Sequence, residues 1–228
     1  QAMGDVAAQA LGVGLDQLLG GRVRDSVPVY ANINRAANRR TPEDFAEKAE
    51  KAVAEGFRAV KAAVFDDFPA ASRDPAERER FAALGVERLE AMRRAVGPSI
   101  DLMVDCHSRF DRTLAIEVAR RLESVNLRWY EEPVDPGELA DTRAIRDSIR
   151  QPMAGGEILF GREGFLPLLQ SQAVDVIMPD VKHCGGVFEG KKIAAVAESF
   201  GVAFSPHNPS GAVSMAASTR LAATVPNC

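Results

Sequence analysis

Cysteine is scarce in this sequence: Cys106, Cys184 and Cys228 are far apart and odd in number. No CxxC pair occurs, so neither a zinc site nor a disulfide framework is expected, and the thiols read as free in a reducing cytosol. Basic excess is lacking too. The net charge of −4 leaves no basic patch for nucleic acid or an anionic membrane. No apolar run approaches the roughly 20 residues that span a bilayer. The opening from Gln1 to Gly20 lacks a basic stretch followed by an apolar block, so no secretory signal is read there, and a cytoplasmic protein is expected. No linker rich in Gly, Ser or Pro divides the 228 residues, which points to one domain over 1–228. The remaining balance, 46% apolar and 26% charged, is that of an ordinary globular chain.

Short apolar runs alternate with longer amphipathic stretches, the pattern of βα units around a parallel sheet. The runs are Val27–Ile33, Ala59–Phe65, Ile100–Cys106, Leu127–Glu131, Pro152–Gly156, Val174–Pro179 and Val202–Ser205. Several are nearly continuous in apolar residues, as strands buried on both faces should be. Residues 1–20 read as a lead-in helix and 27–228 as the βα repeats. Thr41-Pro42-Glu43-Asp44 and Asp74-Pro75 carry helix-start signals, and Gly56, Gly97 and Gly201 fall where helices should end. Charged stretches such as Arg73 to Arg80 and Glu87 to Arg94 read as solvated helix faces. Both ends look cut, and an extended segment is expected to start at Val225-Pro226-Asn227-Cys228. Seven strands are one short of a closed (β/α) TIM-type barrel of about 250 residues. An open doubly wound sheet usually carries a Gly-rich loop after its first strand. Here that segment is Asn34-Arg35-Ala36-Ala37-Asn38-Arg39, so the barrel is preferred.

Ionisable residues sit at the strand ends: Lys61, Asp105 with His107, Glu131 with Glu132, Glu157, Asp180 and His207. In parallel barrels that rim carries the catalytic groups. Asp105, Glu131 and Glu157 follow one another at intervals of 26 residues, one βα unit each (105 to 131, 131 to 157). Three carboxylates aimed at one point repel unless a cation sits among them. Oxygen-only ligands favour a hard ion such as Mg²⁺ or Mn²⁺. The alternative is that each acid caps the following helix.

His107 lies two residues after Asp105, on the same side of the strand, and reads either as a proton-transfer group or as a hydrogen-bonded structural residue. His207, between Pro206 and Pro209, could accept orientation from Asp180 as a histidine base, or the two form a surface pair. Lys61 inside Ala59-Val60-Lys61-Ala62-Ala63 has to meet a carboxylate. It balances the acid cluster, or polarises a substrate carboxylate, or makes a purely structural ion pair. Asn32, Asn34, Arg35, Ser108 and Arg109 lie at or after strand ends and read either as substrate contacts or as solvated loop residues.

The set Val104-Asp105-Cys106-His107, Trp129-Tyr130-Glu131-Glu132-Pro133, Ala154-Gly155-Gly156-Glu157, Met178-Pro179-Asp180 and Ser205-Pro206-His207 resembles the enolase superfamily. Within it the chain is similar to the mandelate racemase subgroup, and most to its acid-sugar dehydratases. The stretches Ala10-Leu11-Gly12 and Leu18-Leu19-Gly20-Gly21 resemble the helix leading into that family's barrel.

The resemblance implies a barrel with about seven of eight strands and without the family's N-terminal capping domain. It implies Mg²⁺ held by Asp105, Glu131 and Glu157, with Glu132 behind them. Asp180 and His207 match the base dyad, His107 the general acid, and Lys61 the first lysine of a Lys-x-Lys motif. The implied reaction abstracts the α-proton of a sugar acid through an enediolate. Loss of the β-hydroxyl then gives a 2-keto-3-deoxy acid. A homo-oligomer acting on a small molecule is also implied. The second lysine of the motif is replaced by Ala63, which argues against two-base racemisation. A racemase or epimerase, or a metal-binding barrel without turnover, are the alternatives.

Overall fold

The apolar runs become strands and the amphipathic stretches between them become helices, in strict alternation. The computed structural model describes residues 2–228. Gln1, the first residue of the expected lead-in helix, lies outside the described residues. Two units are distinguished: one takes the chain up to Pro28 together with Ala154–Cys228, the other takes Val29–Met153.

The first unit opens with α1 (Ala2–Ala10) and α2 (Leu15–Leu18). A single lead-in helix over 1–20 is therefore corrected to two. The break lies at Gly12, whose φ of +65° ends α1 in a conformation that carries a steric penalty for other residues.

The Val29–Met153 unit follows with β1 (Ala31–Asn32), α3 (Pro42–Ala54), β2 (Ala59–Ala62), α4 (Pro75–Val96), β3 (Asp101–Asp105), α5 (Arg112–Arg121), a 3₁₀ turn (Glu123–Val125), β4 (Trp129–Glu131) and α6 (Leu139–Ser148). β1 to β4 pair in order, all parallel, with Asn32 beside Lys61, Lys61 beside Met103, and Asp105 beside Glu131. The chain returns to the first unit through β5 (Met153–Gly155), α7 (Gly161–Gln170), β6 (Val176–Ile177), α8 (Val187–Ser199), β7 (Ala203–Phe204) and α9 (Ala212–Ala222). Gly155 pairs with Ile177, and Ile177 with Phe204, again in parallel.

Each expected run contains its strand, but the ladders are shorter than the runs. In the first run, Val27–Tyr30 stays outside the ladder, because Pro28 has no N–H to donate and Val29 is exposed. In β3, Leu102, Met103 and Val104 are all fully buried, as expected for a strand covered on both faces. Thr41 caps α3 by accepting the Asp44 N–H at 3.2 Å, and Asp74 caps α4 by accepting the Ala76 N–H at 3.0 Å. Gly56, Gly97 and Gly201 follow helices with positive φ, as their positions predict.

α3 packs on α4, burying Phe45, Ala49, Leu89 and Met92. Full burial of a side chain the size of Phe45 contributes about 1.5–3 kcal/mol. A Cβ at Gly85 of α4 would lie 2.0 Å from the Phe65 ring, so the absent side chain is what lets Phe65 reach the helix.

Two further expectations are corrected. The stretch Glu87 to Arg94 is not a solvated face: Arg88, Leu89 and Met92 are buried, and Arg88 is held by Asp67 and by the Val64 and Arg40 carbonyls. Val225–Cys228 forms a turn rather than an extended segment, with Cys228 N–H bonded back to the Val225 carbonyl. The tail nevertheless lies along β7, since Phe204 N–H donates to the Asn227 carbonyl at 2.8 Å. All three cysteines are free. No helix among the described residues is long and apolar enough to cross a membrane.

Candidate active site

In the Val29–Met153 unit, parallel pairing sets Asp105 beside Glu131 at the C-terminal ends of their strands. Both carboxylates are almost wholly buried, and so is Lys61. Its ammonium lies 2.6 Å from Glu131 Oε1 and 3.3 Å from Asp105 Oδ2. A lysine in an apolar strand therefore meets two carboxylates, as its placement demanded. Trp129 donates its indole N–H to Glu131 Oε2 at 2.9 Å, and Tyr30 packs its ring edge-on against Trp129 while lying 5.5 Å from the Lys61 ammonium.

These contacts set the charge states. Burial alone would push Lys61 down, but Glu131 and Asp105 hold it well above the usual lysine value. Burial also works against ionisation of Asp105, yet the hydrogen bond from His107 and the charge of Lys61 hold it well below the carboxylate range. Glu131 is pushed up to about 7 by burial, with Lys61 opposing and the Asp105 charge adding to the rise.

His107 stands just past β3 with φ +47°, and Ser108 follows at +55°. Such backbone costs of order 1–3 kcal/mol per residue and persists where the surroundings fix it. Here Ser108 N–H donates to the Glu132 carbonyl at 2.7 Å and Phe110 N–H to the Pro133 carbonyl at 3.0 Å. The His107 ring lies between two acids, Nε2 at 3.1 Å from Asp105 Oδ2 and Nδ1 at 2.5 Å from Asp66 Oδ1. Hydrogen bonds to Asp105 and Asp66 raise it to about 10, so it is an imidazolium at neutral pH.

In the other unit, Asp180 is fully buried three residues past β6. Its Oδ1 accepts the Lys182 N–H at 2.7 Å, and its Oδ2 lies 3.0 Å from His207 Nδ1. A carboxylate only accepts, so Nδ1 carries the proton that faces Asp180. The other ring nitrogen, Nε2, lies 3.1 Å from Glu157 Oε2, two residues past β5.

The expected residues thus gather in two groups: Lys61, Asp105, Glu131 and His107 in one unit, and Glu157, Asp180 and His207 in the other. Asn32 and Asn34 are engaged locally instead: Asn32 Oδ1 accepts the Asn34 N–H, and Asn34 Oδ1 accepts the Ala63 N–H. Sequence reasoning passed over Asp66, Trp129 and Tyr30. Trp129 was findable, because it lies two residues before Glu131 and so shares its side of the strand. Asp66 lies just past the second apolar run, the rim position that drew attention elsewhere.

The Enolase C-terminal domain-like family matches residues 44–228. The D-gluconate dehydratase of Thermoproteus tenax is 38% identical over 226 residues, 99% of this chain and 44% of that protein. The D-xylonate dehydratase of Haloferax volcanii is 36% identical over 232 residues, 99% of this chain and 55% of that protein. Among solved structures, a mandelate racemase/muconate lactonizing enzyme-like protein from Roseovarius sp. TM1035 superposes with a TM-score of 0.90 at 29% identity, covering 98% of this chain and 58% of that one. The chain spans about half the length of the curated relatives it matches.

Proposed function

Because the chain belongs to the Enolase C-terminal domain-like family, we propose that it carries the catalytic residues of a metal-dependent sugar-acid dehydratase, a hydro-lyase. In this reading Asp105, Glu131 and Glu157 hold Mg²⁺, or Mn²⁺ in its place. Their donor set is oxygen-only and acidic, which fits a hard cation. The bound ion supplies Lewis acidity toward the substrate carboxylate, which lowers the cost of removing the neighbouring proton.

His207 removes the C2 proton at Nε2, and Asp180 holds the ring and compensates the imidazolium that forms. His107 delivers a proton to the C3 hydroxyl, which leaves as water. The C2–H electron pair becomes the C2=C3 bond, and the enol tautomerises to a 2-keto-3-deoxy acid. Lys61 keeps the Asp105 and Glu131 carboxylates from repelling one another. The observation that supports this reading is the 3.0 Å contact between His207 Nδ1 and Asp180, the pairing expected of a histidine base held by a carboxylate. Ala63, where the family's second lysine would stand, favours dehydration from one face over two-base racemisation. The same reading makes the protein a cytoplasmic homo-oligomer acting on a small-molecule sugar acid.

The test is incubation of the purified protein with Mg²⁺ and a panel of sugar acids in D₂O. Keto product from a small group of acids supports dehydration. Deuterium at C2 of recovered substrate without keto product moves the function to epimerisation. Neither signal, with Mg²⁺ bound, leaves a barrel without turnover.

A further inference from the structure

The two acids that flank His107 are not equivalent. Asp105 Oδ2 also lies 3.3 Å from the Lys61 ammonium, and its Oδ1 accepts the His107 backbone N–H at 3.3 Å. Asp66 has no such second duty. Its Oδ1 lies 2.5 Å from His107 Nδ1, and among the described residues no lysine or arginine pairs with it. The next residue, Asp67, turns instead to Arg88 and Arg40. Two adjacent carboxylates thus diverge, one into a guanidinium pair and one onto a histidine ring. Asp66 is about a third exposed, as is His107, so its carboxylate has water available and its contact with the ring is not imposed by burial.

Resting on the dehydratase reading above, we infer that Asp66 is the positioning residue of His107. By accepting the Nδ1–H it fixes the ring so that Nε2 is the nitrogen that donates. The Nε2 proton joins the C3 hydroxyl oxygen as the C3–O bond breaks and water departs, while the pair left by the C2 proton forms C2=C3. Asp66 itself touches none of the reacting atoms. Partners that orient metal-ligating histidines are worth about 10–100-fold in activity, and the same scale is expected for a ring held in this way.

Asp66→Asn, Asp66→Ala and Asp66→Glu variants are compared with the unaltered protein on a sugar acid that it dehydrates, in D₂O with Mg²⁺. Asp66→Asn and Asp66→Ala lower kcat for keto-acid formation by roughly 10–100-fold, with KM within about twofold. Recovered substrate gains deuterium at C2, because His207 continues to remove the proton while departure of the hydroxyl stalls. Asp66→Glu recovers part of the lost kcat. Unchanged kcat in Asp66→Asn overturns the inference. Parallel loss of dehydration and exchange also overturns it, since that pattern assigns Asp66 to the fold rather than to His107. Two controls keep the failures apart: full-rate dehydration by His107→Gln removes His107 as the acid, whereas no keto acid from the unaltered protein on any sugar acid brings down the function reading itself.

Discussion

Arg88 and Asp67 form a two-pronged ion pair, with Arg88 Nη1 2.7 Å from Asp67 Oδ1 and Nη2 2.7 Å from Asp67 Oδ2. The Arg88 side chain is 2% exposed, and its guanidinium also donates to the Val64 and Arg40 carbonyls. Removing one partner of a buried pair costs about 3–5 kcal/mol, because the other charge and its carbonyls stay behind. Arg88→Ala is therefore expected to lose about 3 kcal/mol in urea unfolding, toward the low end because Asp67 is partly exposed. Arg88→Lys should recover little, since an ammonium cannot make the parallel pair. Loss of under about 1 kcal/mol would reduce the pair to an ordinary surface contact.

The same pair sets a pH dependence. Burial works against ionisation of Asp67, but the hydrogen bond and charge of Arg88 hold its carboxyl below the usual value of 3.8. A depressed carboxylate contributes stability that is present above its unfolded value and is lost as pH falls through its folded one. The stability gap between the unaltered protein and Asp67→Asn should stay constant from about pH 8 to pH 5 and close below about pH 4. A gap that closes instead on the alkaline side would contradict the assignment.

Metal binding should register as stability. With Mg²⁺ at about 100 times its dissociation constant, the folded protein gains roughly 2.7 kcal/mol. A thermal melt with and without EDTA reads this as a rise in Tm. Asp105→Asn and Glu131→Gln are expected to abolish most of the rise, and either variant keeping it in full would remove that residue from the metal set.

His207→Asn separates the base from the metal. Turnover should fall by roughly 10²–10⁴-fold, the usual worth of a general base, while the Mg²⁺-dependent rise in Tm persists. Full dehydration by this variant would rule out His207 as the base.

The parallel βα fold was legible because its signal is carried by composition. A fully apolar run such as Leu102–Val104 has nowhere to go but a strand covered on both sides. Lys61 was legible for the converse reason: a charge inside such a run has to find a carboxylate. Pairing of His207 with Asp180 followed from strand order. Strand lengths did not follow, because ladder bonds and not side chains decide where Ala31–Asn32 begins and ends. Arg88 was missed because a charged residue in an amphipathic helix reads as solvated until its partner is known, and Asp67 is 21 residues away. Asp66 was hidden by its neighbour, since two adjacent acids in a loop give no hint that they face different ways.

Gly85 has a consequence that reaches past packing. Alanine is the better helix former by about 1 kcal/mol, so propensity alone would favour replacing it. A methyl group there would have to displace the Phe65 ring, and Phe65 is the residue immediately before Asp66. The back of α4 thus acts as a gauge for the loop that touches His107. A side chain at position 85 would therefore shift that loop from behind, with no residue of the rim itself altered.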